Sequence, residues 1–290
     1  MVALPPASSP PPARTAAASA APDPGLAAAV AIALAARPEE RILRLQHQGQ
    51  AIVVKRASDQ TRPAWVTWLA ARIAASLSPQ PLPRHSLALS DQGGLIRVES
   101  RRLRSLHAAG VKVPRVLAEG PDWLALEAVG NTLEEAARSH DRPTWDALLR
   151  RAAADLAAFH RAGHWHGGAQ VKNLMLWQGD LYRIDFEEDI GEHLPLAVTQ
   201  TLDLVLLVNS CLLLDERGED AWAALGLTLL QTYFAAHPAP DMRACLQRAM
   251  VWLRLLTGLA RPWRNRRGRS LRRVFLLRRV LETFLATPAA

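Results

Sequence analysis

Cysteine is nearly missing from this chain: Cys211 and Cys245 are the only two, far apart and in no C-x-x-C spacing. That argues against a disulfide framework or a zinc knuckle and fits a reducing cytoplasm. Long apolar runs are missing too. The leucine-rich stretch Leu204 to Leu214 is interrupted by Asn209 and Ser210 and flanked by Asp203 and Asp215. It falls well short of the roughly 20 residues that span a bilayer and reads as a buried helix. The start of the chain, MVALPPASSPPPARTAAASAAPDPG, lacks a basic stretch followed by an apolar one. Its Pro, Ala and Ser content buries too little surface to offset chain entropy, so residues 1–25 are expected to be disordered.

Lysine is almost as scarce as cysteine. Of 35 basic residues only Lys55, Lys112 and Lys172 are lysines, which leaves 32 arginines. Where composition favours arginine so strongly, a lysine in the middle of the apolar strand AIVVKRA suggests a task suited to a compact point charge. The formal charge of +8 is localised. Residues 261–290 carry nine arginines against Glu282, a net of +8, so residues 1–260 balance at zero. The basic signal belongs to the tail and says nothing of a nucleic-acid-binding domain, for which no aromatic platform or recognised motif is present either.

The run RILRLQHQGQAIVVKRA reads as two strands about the polar turn His47 to Gln50, after a short helix from Leu26 to Ala36. Residues 57–92, with SLSPQPLPRHS, read as part helix and part excursion. From Gly94 to Ala109, Leu95, Val98, Leu103 and Leu106 recur at helical spacing and Gly110 suits the residue after a helix end. That helix carries Glu99. Two short strands, Arg115 to Ala118 and Trp123 to Ala128, follow about the turn Glu119 to Asp122. Beyond residue 131 the pattern is mostly helical, with one hairpin in NLMLWQGDLYRIDF. Strands first and helices afterwards give an α+β chain of two lobes.

The densest chemistry lies in HRAGHWHGGAQVKNLMLWQGDLYRIDFEED. Asn173 stands just before the first strand of that hairpin and Asp185 just after the second, so an amide oxygen and a carboxylate meet at one mouth. Hard oxygen donors so placed suit a nucleotide-bound Mg²⁺.

The order of these pieces resembles a protein-kinase-like domain. Lys55 matches the lysine of V-A-I-K, Glu99 its helix partner, WLALEAV the strand into the hinge, HGGAQVKN the H-R-D-x-x-x-x-N loop, and Asp185, Phe186 and Glu187 the D-F-G triplet. The phrase VESRRLRSLHAAGVKVPRVL is similar to the helix-to-strand passage of the atypical group that holds RIO, KEOPS-complex and lipopolysaccharide core (Kdo, heptose) kinases. The resemblance implies a two-lobed fold, a small mostly β N-lobe over residues 26–130 and a helical C-lobe over 131–260, with 261–290 its closing basic helix. It implies ATP and magnesium (Mg2+) as cofactors, with Lys55 on the phosphates, Glu99 holding Lys55, Asn173 and Asp185 on the metal, and Glu127 to Val129 offering hinge backbone to adenine. His166 and Asp203 would brace the catalytic loop, although Asp203 also reads as an acid opening an apolar helix. Lys172 reads equally as a phosphate contact or a solvated lysine, and His160 and His164 as the polar end of a helix.

Two departures stand out. Gly168 occupies the third place of HGGAQVKN, where the family's catalytic aspartate belongs. No G-x-G-x-x-G precedes Lys55, since Gly49 is the only glycine between Leu26 and Lys55. Gln170 could orient an acceptor hydroxyl, and Glu187 or Glu188 could serve as a displaced base. The expected activity is ATP-dependent phosphoryl transfer to a hydroxyl of a lipopolysaccharide-core sugar or a protein Ser/Thr, the alternative being a pseudokinase scaffold. The Arg-rich tail, with Val274, Leu277, Leu281 and Phe284 in a stripe, reads as the last C-lobe helix or as a dock for an anionic membrane surface or lipopolysaccharide core at the inner face.

Overall fold

The computed structural model describes residues 23–57, 72–78, 96–137, 140–261 and 268–287. Nearly all of the expected amino-terminal tail, most of the 57–92 stretch and the arginine-rich turn at 262–267 lie outside them.

The first described helix, α1 (Pro24–Ala36), begins on Asp23, whose carboxylate accepts from the Gly25 N–H and so caps it. It therefore starts inside the segment expected to be disordered. Strands β1 (Ile42–His47) and β2 (Gln50–Arg56) form the expected hairpin about Gln48 and Gly49, both with positive φ. Helix α2 (Ile96–Ala108) ends on Gly110 in the left-handed region. Strands β3 (Val116–Glu119) and β4 (Trp123–Glu127) complete an antiparallel sheet of order β1-β2-β4-β3. Leu26 and Val30 of α1 pack on Leu43, Ile52, Val54 and Ala125 of that sheet, giving the small lobe its own core.

The helical lobe is built on a larger core. A second sheet, β5 (Asn131–Thr132), β6 (Leu174–Trp177) and β7 (Asp180–Arg183), lies where the chain crosses between lobes. Gly130 sits at φ +50 with the Leu176 carbonyl only 2.1 Å from where a Cβ would be, so any side chain here would push the crossing segment off β6. After α3 (Leu133–Ala137), helix α4 (Arg142–Arg161) starts on an Asp141 cap to the Thr144 N–H and turns Trp145, Leu149, Leu156 and Phe159 inward. A short α5 (Ile190–His193) precedes α6 (Leu196–Cys211), α7 (Glu219–Ala236), α8 (Pro240–Ala260) and α9 (Arg269–Ala286).

Helix α6 starts eight residues before Leu204, so Asp203 lies inside it rather than at its mouth, and its fully buried carboxylate does not serve the helix dipole. Helix α9 buries Leu276, Leu277, Val280, Leu281 and Phe284, while Arg272 and Arg279 pair with Glu219 and Asp220 of α7. It closes the helical lobe. Both cysteines are buried thiols, and no described helix is long and apolar enough to cross a membrane.

Candidate active site between the lobes

Register places Lys55 opposite Leu124 on one side and Ile42 on the other, in the middle of the sheet. Its ammonium is 2.8 Å from Glu99 Oε2, 2.5 Å from Asp185 Oδ1 and 2.9 Å from Glu187 Oε2. Three carboxylates thus converge on one buried lysine. Burial alone would lower the Lys55 pKa, but the three acids more than reverse that and hold it above its ordinary value. The Glu99 carboxyl is pushed up by burial against the pull of Lys55, whereas at Asp185 the lysine outweighs burial and the pKa falls. Removing one partner from such a cluster strands an uncompensated buried charge, which is why both ends are needed together.

The loop from His166 to Asn173 is held from below. The Asp203 carboxylate accepts from the N–H groups of His166 (2.6 Å) and Gly167 (2.9 Å), and burial that would raise its pKa is overcome by His160 and then by His166. His160 Nε2 lies 3.4 Å from Asp203 Oδ2 and its Nδ1 meets the Tyr233 hydroxyl at 2.6 Å. His160 does stand in the last turn of α4, but it is buried there and forms part of this brace. His166 accepts from the Gly168 N–H through Nδ1 (3.2 Å) and stacks on Phe186 with centroids 4.4 Å apart. Burial pushes its pKa down to about 4, so it is neutral at pH 7.

Asn173 sits on a 3-10 turn (Val171–Asn173), its Nδ2 donating to the Gly168 carbonyl at 2.9 Å and lying 3.5 Å from Asp185 Oδ2. The amide nitrogen of Asn173 is thus the atom that faces both the Gly168 carbonyl and Asp185. Asp185 itself has φ 71, a left-handed backbone that Asp tolerates better than most residues and that is common where geometry is dictated by function. Gly167, at φ +91, would place a Cβ 2.9 Å from the Glu188 Cβ, so only glycine lets the loop pack here. Gln170 is half-buried at the start of the turn and Lys172 is exposed.

Glu127 spends its side chain on Arg115 and its N–H on the Arg115 carbonyl, and the Ala128 N–H bonds Ala51. Among the described residues no such backbone bond is made by the Val129 N–H, an open donor at the crossing.

Two residues escaped sequence reasoning. Arg102 donates to the carbonyls of Trp165 (2.5 Å), His166 (2.9 Å) and Glu188 (3.1 Å), with its guanidinium 3.5 Å above the Trp165 ring and 4.9 Å from that of Phe186. Burial lowers its pKa to about 10, so it remains charged. Its spacing from Glu99, three residues on, was the available signal, because i and i+3 share a helix face. The other is Arg41, whose Nη2 lies 2.8 Å from Glu187 Oε2.

A small sheet lobe with a buried lysine–glutamate pair, a helical lobe and an Asn/Asp mouth make a two-lobed α+β chain laid out as the sequence resemblance implies. A curated relative, the EKC/KEOPS complex subunit BUD32 of Encephalitozoon cuniculi (strain GB-M1), is 32% identical over 102 residues, covering 35% of this chain and 50% of that protein. The chain thus spans about half the length of the curated relative it matches. Among solved structures, the MAP kinase LmaMPK10 from Leishmania major aligns with a TM-score of 0.27 at 13% identity, over 91% of this chain and 87% of that one. No protein-family model matches the chain. The RIO, KEOPS-complex and lipopolysaccharide-kinase groups are not separated by these likenesses.

Proposed function

We propose that the chain is a slow, Mg·ATP-dependent phosphotransferase acting on a hydroxyl acceptor. The observation that carries this reading is the convergence of Glu99, Asp185 and Glu187 on the Lys55 ammonium within 2.9 Å. Lys55 would hold the nucleotide phosphates, Glu99 would fix Lys55, and the Val129 N–H would meet the adenine edge. Asn173 and Asp185 are the residues that would hold Mg²⁺, with Asp185 Oδ2, a hard oxygen whose contact to Asn173 Nδ2 is long, as one donor and the Asn173 amide oxygen as the other. Bound there, the ion would neutralise charge on the transferring phosphoryl group. Asp203, His166 and Arg102 keep the loop between Gly168 and Asn173 in place, and Gln170 is positioned to orient the acceptor. Of the two displaced-base candidates, Glu187 and Glu188, Glu187 is engaged by Lys55 and Arg41.

One observation favours the second reading, a pseudokinase that binds nucleotide without transferring it: Gly168 supplies no carboxylate, and a general base is typically worth about 10² to 10⁴-fold. Phosphoryl transfer rests mainly on positioning and metal electrostatics, so the first reading survives that loss as a low rate. The test is thermal unfolding with Mg·ATP. At a hundred times its dissociation constant a ligand adds about 2.7 kcal/mol, a rise of roughly 5–10 °C for a chain of this size. Asp185→Ala should remove the metal-dependent part. An unchanged midpoint in millimolar Mg·ATP would end the nucleotide-binding reading, and γ-labelled ATP scored for hydrolysis and autophosphorylation separates enzyme from pseudokinase.

A further inference from the structure

The stretch before Lys55 has no glycine-rich loop, yet a cation reaches the site from that side. The chain leaves α1 through residues 37–41 and enters β1 beside Lys55: the Arg56 N–H bonds the Arg41 carbonyl at 2.8 Å and Ile42 pairs with Lys55. The turn is fixed by Arg56, whose guanidinium donates to the carbonyls of Pro38 and Leu34. Arg41 then reaches Glu187 Oε2 at 2.8 Å, the same oxygen that lies 2.9 Å from Lys55 Nζ. One carboxylate oxygen is therefore shared by a buried cation and by one whose side chain is 43% exposed.

Charge and accessibility separate the two cations. Three carboxylates against Lys55 and Arg41 leave the cluster at −1, and a divalent cation would bring it to +1 and make it receptive to a polyphosphate. Lys55 is locked in place by its three partners. Arg41 is held by one ion pair at the mouth, of the kind that contributes little to stability and so costs little to break. Its guanidinium is a planar fork that matches phosphate oxygens.

We propose that Arg41 covers the terminal phosphate of the bound nucleotide, leaving Glu187 when the metal-nucleotide complex enters and replacing with one side chain the backbone donors of the absent loop. This rests on the nucleotide-binding reading above. The experiment is calorimetric titration of the full chain with Mg·ATP, Mg·ADP and adenosine, on the wild type, Arg41→Ala, Arg41→Lys and the control Arg37→Ala, whose arginine is exposed and faces Glu40. Circular dichroism melts of the unliganded variants confirm that each is folded. Arg41→Ala should weaken Mg·ATP roughly 10- to 100-fold, Mg·ADP less, and adenosine not at all, as loss of a charge-assisted bond to the outer phosphate requires. Arg41→Lys should recover part of the loss and Arg37→Ala should match the wild type. Equal or tighter Mg·ATP binding by folded Arg41→Ala, with the wild type binding normally, overturns this proposal alone. A wild type that binds neither Mg·ATP nor adenosine overturns it together with the reading beneath it.

Discussion

Gly168→Asp tests whether the missing carboxylate is what limits the site. A Cβ built on Gly168 meets nothing closer than Asn173 Nδ2 at 3.8 Å and His166 Nδ1 at 3.9 Å, both ordinary contacts, and its backbone is not left-handed. The side chain therefore enters open space, and its effect on folding should stay within about 1 kcal/mol in either direction. The loop that would carry it is already fixed by Asp203 and Arg102, so the new carboxylate inherits a defined position. If the base is all that is absent, transfer should rise by about 10² to 10⁴-fold, equivalent to roughly 3–5 kcal/mol off the barrier. The assay is single-turnover release and autophosphorylation from γ-labelled ATP, with Lys55→Met as the background. A folded, nucleotide-binding Gly168→Asp that transfers no faster than wild type would refute the reasoning. If Glu188→Gln then abolishes the wild-type rate, the base has moved to Glu188.

Two further outcomes follow from the brace under the loop. His166 has its folded pKa depressed from 6.5 to about 4, so the unfolded chain takes up the proton first. Its contribution is complete above pH 6.5 and lost as pH falls towards 4, a loss of about 2 kcal/mol by pH 5, to which His160 adds in the same direction. Urea denaturation at pH 7.5 and pH 5 reads this directly, and equal stability at both would contradict it. Asp203→Asn leaves the N–H groups of His166 and Gly167 with one neutral acceptor and an opposing amide donor, a loss of about 3 kcal/mol with a parallel fall in Mg·ATP affinity. Equilibrium unfolding showing a loss below about 0.5 kcal/mol would dispose of the brace.

The strand lysine, the helix glutamate and the Asn/Asp mouth could be read from the chain because each sits in a periodic segment whose direction follows from its spacing. Lys55 lay in an apolar strand, Glu99 on a helix with a regular stripe, Asn173 and Asp185 at the ends of one hairpin. What spacing could not convey was depth. His160 is at a helix end, as its polar neighbours Arg161 and His164 suggested, yet its side chain is buried under the loop. Asp203 looked like a cap because the visible apolar run began after it, whereas Val198, Thr199 and Thr201 are also buried and extend the helix backwards. Arg41 lay in a turn with no periodicity, and its partner is 146 residues away. Contacts at that separation are fixed by how the lobes meet.

The grip of Arg102 on three carbonyls has a dynamic consequence. Helix α2 belongs by sequence to the sheet lobe, yet through this one side chain its middle turn is anchored to the backbone around Trp165, His166 and Glu188. Displacing the helix outward would expose a buried guanidinium, unstack it from two rings and free three carbonyls at once. Glu99 shares that anchored turn with Arg102, so its position is tied to that of the loop. The opposite wall of the cleft, where α1, the 37–41 turn and the β1–β2 hairpin pack on a separate, smaller core, is tied to the same loop region by ion pairs instead, from Lys55 and Arg41 to Asp185 and Glu187.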